Sequence, residues 1–253
     1  MAGHIIVSDE EATRTIVMRR PEKKNALTRE MFLAMSEAIN SAQSDPAIRC
    51  VILTGRSGVF TAGDDFGEFL QDAEAERDAA KPRSAVTFMR SLVNNKKPLI
   101  AAVDGTAVGM GVTMVLHSDY VLAGSTASFL YPLTRYGLVS GGASSLLLPW
   151  TAGHQRAFAM LVMGRPMNAE QAREAGIVNV IVPTGHAFVE AQKVAREICA
   201  LPPDAVAMTR KLLKPATEDL LRRMDQEEHI FTERIQSPSV VTAVEGFFRR
   251  RKE

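Results

Sequence analysis

The sequence has few cysteines, no long apolar run and almost no excess of charge, and each shortage removes a class of function. Only Cys50 and Cys199 occur, neither at metal-ligand spacing, which excludes a disulfide framework and points to a reduced, intracellular compartment. The longest apolar stretches, such as residues 98–103 and 112–116, fall well short of the ~20 residues that span a bilayer. Residues 1–9 lack the basic start and apolar run of a secretory signal, so a cytoplasmic protein with no membrane partner is expected. A formal net charge of +1 gives no electrostatic reason to expect nucleic acid. The five histidines are scattered, none paired with another His, Cys or acid at ligand spacing, so no metal is expected.

Nucleotide and nucleophile motifs are missing as well. Gly105, Gly109 and Gly111 do not fit the Gly-x-Gly-x-x-Gly fingerprint, and no Gly-Lys-Ser/Thr loop occurs. Neither Gly55-Arg56-Ser57-Gly58 nor Ser140-Gly141-Gly142-Ala143-Ser144 makes a Gly-x-Ser-x-Gly elbow. No Ser/His/Asp arrangement is apparent, which sets aside a protease.

What is there reads as a globular α/β chain. With 253 residues, 46% of them hydrophobic, it can bury a substantial core. Residues 4–7 and 15–18 are β-rich runs on either side of a polar turn at 8–11. Thr28 is the expected N-cap of a helix carrying Met31, Met35, Ala38, Ile39 and Ala42 at helical spacing, which Asp45-Pro46 ends. Residues 50–54 and 99–103 are short continuous apolar runs, as in strands buried on both faces. A charged helix broken at Lys81-Pro82 is expected over residues 68–97, and a further apolar helix over 112–117. Residues 120–123 and 129–130 are the next strand candidates. From Leu146 the pattern is predominantly helical, ending in a basic amphipathic helix over 240–251. Alternating buried strands and helices are the mark of a mostly parallel sheet.

Two loops place small residues at the ends of buried strands. Thr61-Ala62-Gly63-Asp64-Asp65 follows residues 50–54, and Gly109-Met110-Gly111 follows residues 99–103 and opens a helix. Glycines let backbone approach a ligand closely, and a helix N-terminus presents free N–H groups. Two such groups converging on one carbonyl oxygen make an oxyanion hole, although glycine loops after strands are common in α/β folds.

Four stretches taken together resemble the enoyl-CoA hydratase/isomerase family, the crotonase superfamily. Arg20-Pro21-Glu22-Lys23-Lys24-Asn25-Ala26-Leu27 resembles its early R-P-x-x-x-N-A-L segment, and Phe60-Thr61-Ala62-Gly63-Asp64-Asp65 its F-x-A-G-x-D loop. Lys97-Pro98-Leu99-Ile100-Ala101-Ala102-Val103-Asp104-Gly105, with Ala107-Val108-Gly109-Met110-Gly111, resembles the K-P-x-I-A-A-V-N-G-x-A-x-G-x-G block. Gly164-Arg165-Pro166-Met167-Asn168-Ala169-Glu170-Gln171-Ala172 and Gly176-Ile177-Val178-Asn179 resemble the segment after the active site. The resemblance implies a crotonase fold: a spiral of ββα units over residues 1–198 and a helical trimerisation region over 199–253, giving a homotrimer or hexamer. It implies an acyl-CoA thioester as partner, coenzyme A arriving as part of the substrate and no separate cofactor. Its oxyanion donors fall on the backbone N–H groups of Asp64 and Met110, and its substrate contacts on Lys23, Lys24, Ala26 and Ala62. It also implies that Asp65 braces its loop and that the basic tail, Arg250 within it, lies near a CoA phosphate.

The chain departs from the family where the chemistry is done. Hydratases of this family use two glutamates, at places held here by Thr113 and Leu133. The stretch Gly137-Leu138-Val139-Ser140-Gly141-Gly142-Ala143-Ser144-Ser145-Leu146-Leu147-Leu148-Pro149 is most similar to the isomerase branch, whose single glutamate falls on Gly141. None of the three takes a proton near neutral pH. A substitute base is sought among Asp64, Asp65, Glu68, Tyr131 and Tyr136. Two readings stay open: a hydratase- or isomerase-type enzyme with an atypical site, and a non-catalytic acyl-CoA-binding paralogue.

Overall fold

The computed structural model describes residues 3–68, 83–235, 237–238, 240 and 242–243. Strands β1 (Ile5–Glu10) and β2 (Thr13–Met18) form an antiparallel pair that reverses at Glu11, with φ of 52°. The turn therefore lies beyond the expected residues 8–11: polar Ser8, Asp9 and Glu10 stay in the ladder, and Asp9 pairs with Arg14 at 2.7 Å. Helix α1 (Arg29–Ser44) begins where the sequence puts it, with Thr28 Oγ1 accepting the Met31 N–H at 3.2 Å.

Then follow β3 (Cys50–Gly55), α2 (Ser84–Asn94), β4 (Leu99–Val103), β5 (Thr106–Val108) and α3 (Met110–His117). After β6 (Tyr120–Gly124) and β7 (Ser128–Leu130) come α4 (Ser144–Ala152), α5 (His154–Leu161), β8 (Met167–Asn168), α6 (Ala169–Glu174) and β9 (Val180–Val182). Helices α7 (Ala187–Ala200), α8 (Pro203–Leu213) and α9 (Thr217–Ile235) complete the described elements.

The main sheet has the order β1-β2-β3-β4-β6-β9, parallel after the first pair. The apolar runs are buried on both faces, as their lack of polar residues requires. Val51, Leu53, Ala101 and Val103 face the larger core with α1, whereas Cys50, Ile52, Ile100 and Ala102 face α7. Ala187, Ala191 and Ala195 repeat every fourth residue along α7, so the helix lies close against the sheet.

A second layer, β5-β7-β8, makes the fold a spiral. The chain leaves β3 for Thr61, β4 for β5 and β6 for β7, and each turn stacks on the last. Thr61 bridges Ala107, and Ala107 pairs with Phe129, all in parallel register and all fully buried. The loops after these three residues are thereby set side by side.

Strands β8 and β9 fall in the stretch read as predominantly helical. With two and three residues they are too short to show a period, and β9 is recruited by β6 pairing rather than by its own pattern. Of the helix expected over 68–97, residues 84–94 are helical; residues 69–82, with the Lys81-Pro82 break, lie outside the described residues. So do most of residues 240–251 and the basic tail with Arg250. Within the region 199–253, α8 buries no residue, but α9 returns to the main core through Leu220 and Met224. Among the described residues no helix is long and apolar enough to cross a membrane.

Candidate active site

The Arg20–Leu27 segment, the Thr61–Asp65 loop and the Val108–Met110 loop are joined by backbone. Ala62 N–H donates to Lys24 O at 2.9 Å, Leu27 N–H to Gly63 O at 2.8 Å, and Asp65 N–H to Leu27 O at 2.9 Å. This bridge uses the groups on either side of Asp64 and turns the Asp64 N–H to the opposite side. Thr61 N–H donates to Thr106 O, Val108 N–H to Thr61 O and Gly109 N–H to Leu130 O. Met110 is then the first residue of α3, where an N–H has no intrahelical partner. Among the described residues, neither Asp64 N–H nor Met110 N–H finds an acceptor on another residue. Gly63, at φ 84°, permits this approach: a Cβ there would stand 2.8 Å from Val108 O.

Buried Asn25 supports the crossing. Its side chain donates to Arg56 O at 3.0 Å and Val59 O at 2.7 Å and accepts the Arg20 N–H, while its own carbonyl accepts from Thr61 Oγ1 at 2.6 Å. Asp65 is tied to Arg20 at 2.6 Å and to the Gly67 N–H at 2.9 Å. Burial pushes its carboxyl up, but the Arg20 and Gly67 hydrogen bonds outweigh this and hold it below the usual range. Asp65 thus braces its loop, as expected.

A mainly apolar cavity of about 60 Å³ opens where the loops meet. Ala62, Asp64, Met110, Thr113, Leu133 and Gly141 all line it, so six of the residues singled out in the sequence come together. Lys23, Lys24 and Ala26 do not line it; both lysines are exposed on the neighbouring loop. Of the candidate bases, Asp64 and Tyr131 line the cavity and Asp65, Glu68 and Tyr136 do not. Glu68 accepts the Arg29 N–H, and the Tyr136 ring packs edge-on against Phe66.

The wall also holds residues that sequence reading missed: Met89, Leu138, and the group Arg83, Glu228 and Phe231. Arg83 makes a two-pronged pair with Glu228, at 2.9 and 2.6 Å, and lies 4.2 Å over the Phe231 ring. Glu228 and Phe231 come from α9, nearly a hundred residues after Gly141, and no local motif marks them.

Three buried polar groups hold the turn at 141–145. Tyr131 Oη accepts the Gly141 N–H at 3.1 Å and shares a hydrogen bond with Ser144 Oγ at 3.0 Å; burial raises its pKa further from base chemistry. Glu227 accepts the N–H groups of Ala143 and Ser145, at 2.6 and 3.0 Å, capping the start of α4 with a carboxylate. Burial raises its pKa despite these bonds. A signal for Glu227 existed: it falls on the buried stripe Leu220, Met224, Phe231 and Ile235 of α9. His117 Nε2 lies 2.7 Å from Gly142 O and, since a carbonyl only accepts, carries the proton. Among the described residues no group of His, Cys, Asp and Glu is placed to hold a metal.

Fold and site together define an α/β protein of the spiral class, with a cavity at the crossing of two backbone loops. The model of the enoyl-CoA hydratase/isomerase family matches residues 9–253, and the chain belongs to that family, with its crotonase fold. It is similar to the 1,2-epoxyphenylacetyl-CoA isomerase of Escherichia coli strain K12, 30% identical over 235 residues, covering 90% of this chain and 88% of that one. Human enoyl-CoA delta isomerase 2 is 28% identical over 98% of this chain and 64% of its own length. The crystal structure of an enoyl-CoA hydratase/isomerase from Pseudoalteromonas atlantica T6c superposes with a TM-score of 0.92 at 32% identity, covering 98% of each chain. The chain is thus of the enoyl-CoA hydratase or isomerase type.

Burial lowers the His117 pKa from 6.5 to about 4. Between these values the unfolded chain binds the additional proton, so stability is lost as pH falls from 6.5 towards 4, by about 3 kcal/mol in all. Urea unfolding at pH 4 to 7 should show a shallower slope of stability against pH in His117→Gln; an unchanged slope would mean that another group carries it.

Proposed function

We propose that the chain binds an acyl-CoA thioester in this cavity and polarises its carbonyl with the backbone N–H groups of Asp64 and Met110. One observation carries the reading: two N–H groups with no acceptor on another described residue, on loops fixed in register, border the same apolar cavity. Donors held in place before the substrate arrives need no reorganisation as charge develops on the oxygen, so they favour a thioester enolate. Coenzyme A enters as part of the substrate, and we assign its contacts to Lys23, Lys24 and Ala26, beside the loop whose Lys24 carbonyl holds Ala62. Ala62, Thr113, Leu133 and Gly141 line the acyl side. Fatty-acid or related acyl-CoA metabolism in the cytoplasm is the setting, and two free cysteines accord with that compartment.

The usual glutamates are replaced by Thr113, Leu133 and Gly141, and this favours a second reading, an acyl-CoA-binding paralogue without turnover. Incubating the purified protein with 2-trans- and 3-enoyl-CoA esters separates the two. Gain of water means hydration, and a shifted double bond at constant mass means isomerisation. Binding without change supports the second reading. Met110→Pro removes one donor at a helix position that tolerates proline, and any turnover should fall by ~10²–10³-fold; full activity in the folded variant would contradict the donor assignment.

The backbone at Gly141 leaves room for a side chain to begin. A Cβ on Gly141 meets nothing within 4 Å. Gly141→Glu should raise 3-enoyl to 2-enoyl isomerisation by ~10²–10⁴-fold, and an unchanged rate would show that this position does not face the acyl chain.

We also assign the chain to a homotrimer or hexamer. Trp150, Met208, Leu212 and Leu213 are 63%, 66%, 87% and 69% exposed, and α8 buries nothing within its own chain. A groove of about 610 Å³ runs beneath Trp150 and α8, away from the site cavity. Light scattering should give a trimer or hexamer, and Leu212→Glu with Leu213→Glu should shift it towards monomer; a monomeric wild type would refute the assignment.

A further inference from the structure

Four titratable side chains line the cavity among the described residues: Asp64, Arg83, Tyr131 and Glu228. Three are engaged. Glu228 gives both its oxygens to Arg83, and the Tyr131 hydroxyl is held between Ser144 Oγ and the Gly141 N–H. Asp64 differs: among the described residues its carboxylate accepts no hydrogen bond from another residue, and the charge it feels most strongly is that of Arg83. Its own backbone N–H is one of the two with no acceptor on another described residue.

We infer that the Asp64 carboxylate is the acid–base group of this site and moves a proton at the carbon next to the thioester carbonyl. The inference rests on the acyl-CoA reading above. Geometry supplies the reach. A carbonyl oxygen bound at the Asp64 N–H sits about 3 Å from that nitrogen, and its α carbon lies two bonds further on. The carboxylate belongs to the same residue, and that residue lines the cavity.

The step is a proton transfer alone. An Asp64 oxygen takes a proton from C2, and the C–H pair moves into the C1–C2 bond. The carbonyl π pair moves onto the oxygen, between the N–H groups of Asp64 and Met110. The protonated carboxyl then returns the proton, to C2 in simple exchange or to C4 of a 3-enoyl ester in isomerisation. Nothing is oxidised, no water is consumed and the mass is unchanged. Burial raises the Asp64 carboxyl above the usual range, with Arg83 and its own N–H opposing, so it holds a proton for the return step more readily than an exposed aspartate. The Arg83–Glu228 pair is a positioning element, keeping one cation beside the carboxylate without taking it up in an ion pair.

The test is hydrogen–deuterium exchange at C2 of butyryl-CoA in D₂O, followed by proton NMR, alongside the dissociation constant of the ester measured by calorimetry. The wild-type protein should exchange C2 hydrogens. Asp64→Asn should bind the ester within about threefold of wild type and exchange it ~10²–10⁴-fold more slowly. Asp64→Glu should recover part of the rate, and Asp64→Ser, which also keeps the N–H donor, should behave as Asp64→Asn if the latter folds poorly. Wild-type exchange rates in Asp64→Asn, or binding by the wild type without any exchange, would overturn the assignment while leaving the acyl-CoA site intact. A wild type that binds no CoA ester would overturn the acyl-CoA reading and this inference with it.

Discussion

Thr61, Ala107 and Phe129 lie side by side in parallel register, completely removed from solvent, one on each successive turn of the spiral. The chain meets the cavity within four residues of each: at Asp64 after Thr61, at Met110 after Ala107, and at Leu133 after Phe129. These positions are far apart in sequence, and the register alone sets their spacing in space. A slip of one residue in any pairing would turn the following loop's N–H groups away from the cavity. The larger hydrophobic core packs around this stack, so the accuracy of the site derives from buried residues behind its wall.

Buried polar groups do the finer positioning. Asn25 holds three loops at once, His117 fixes the Gly142 carbonyl, and Glu227 satisfies the orphan N–H groups at the start of α4. Each is shielded from water, so each hydrogen bond is strong and its loss would leave a buried group unsatisfied. Burial lowers the His117 pKa and raises that of Glu227, and both residues hold the turn rather than line the cavity.

Much of this was legible in the sequence where the signal is local. The Thr28 cap, the doubly buried runs of β3 and β4, and the helix starting beside Gly109 follow from residue type and spacing. The two loops at the strand ends were visible as glycine-rich punctuation, and the family resemblance picked out Asp64 and Met110 within them. Strands β8 and β9 were not legible, because two or three residues carry no period and their pairing partners decide their conformation. Glu228 and Phe231 were hidden for another reason: they reach the cavity only through the return of α9, a tertiary event with no signature in their own neighbourhood, and Arg83, at the start of α2, is marked only by its pairing with Glu228. Glu227 was readable in hindsight, as a carboxylate on an apolar helix stripe.

The return of α9 also dictates the order in which the molecule is finished. Synthesis delivers the two crossing loops before residue 111, but the wall made by Glu228 and Phe231 and the carboxylate that caps α4 arrive more than a hundred residues later. A nascent chain on the ribosome therefore carries both backbone donors while its cavity stands open to water and the turn at 141–145 lacks its clamp. A chain that ends before residue 227 lacks both the wall residues Glu228 and Phe231 and the carboxylate that caps α4.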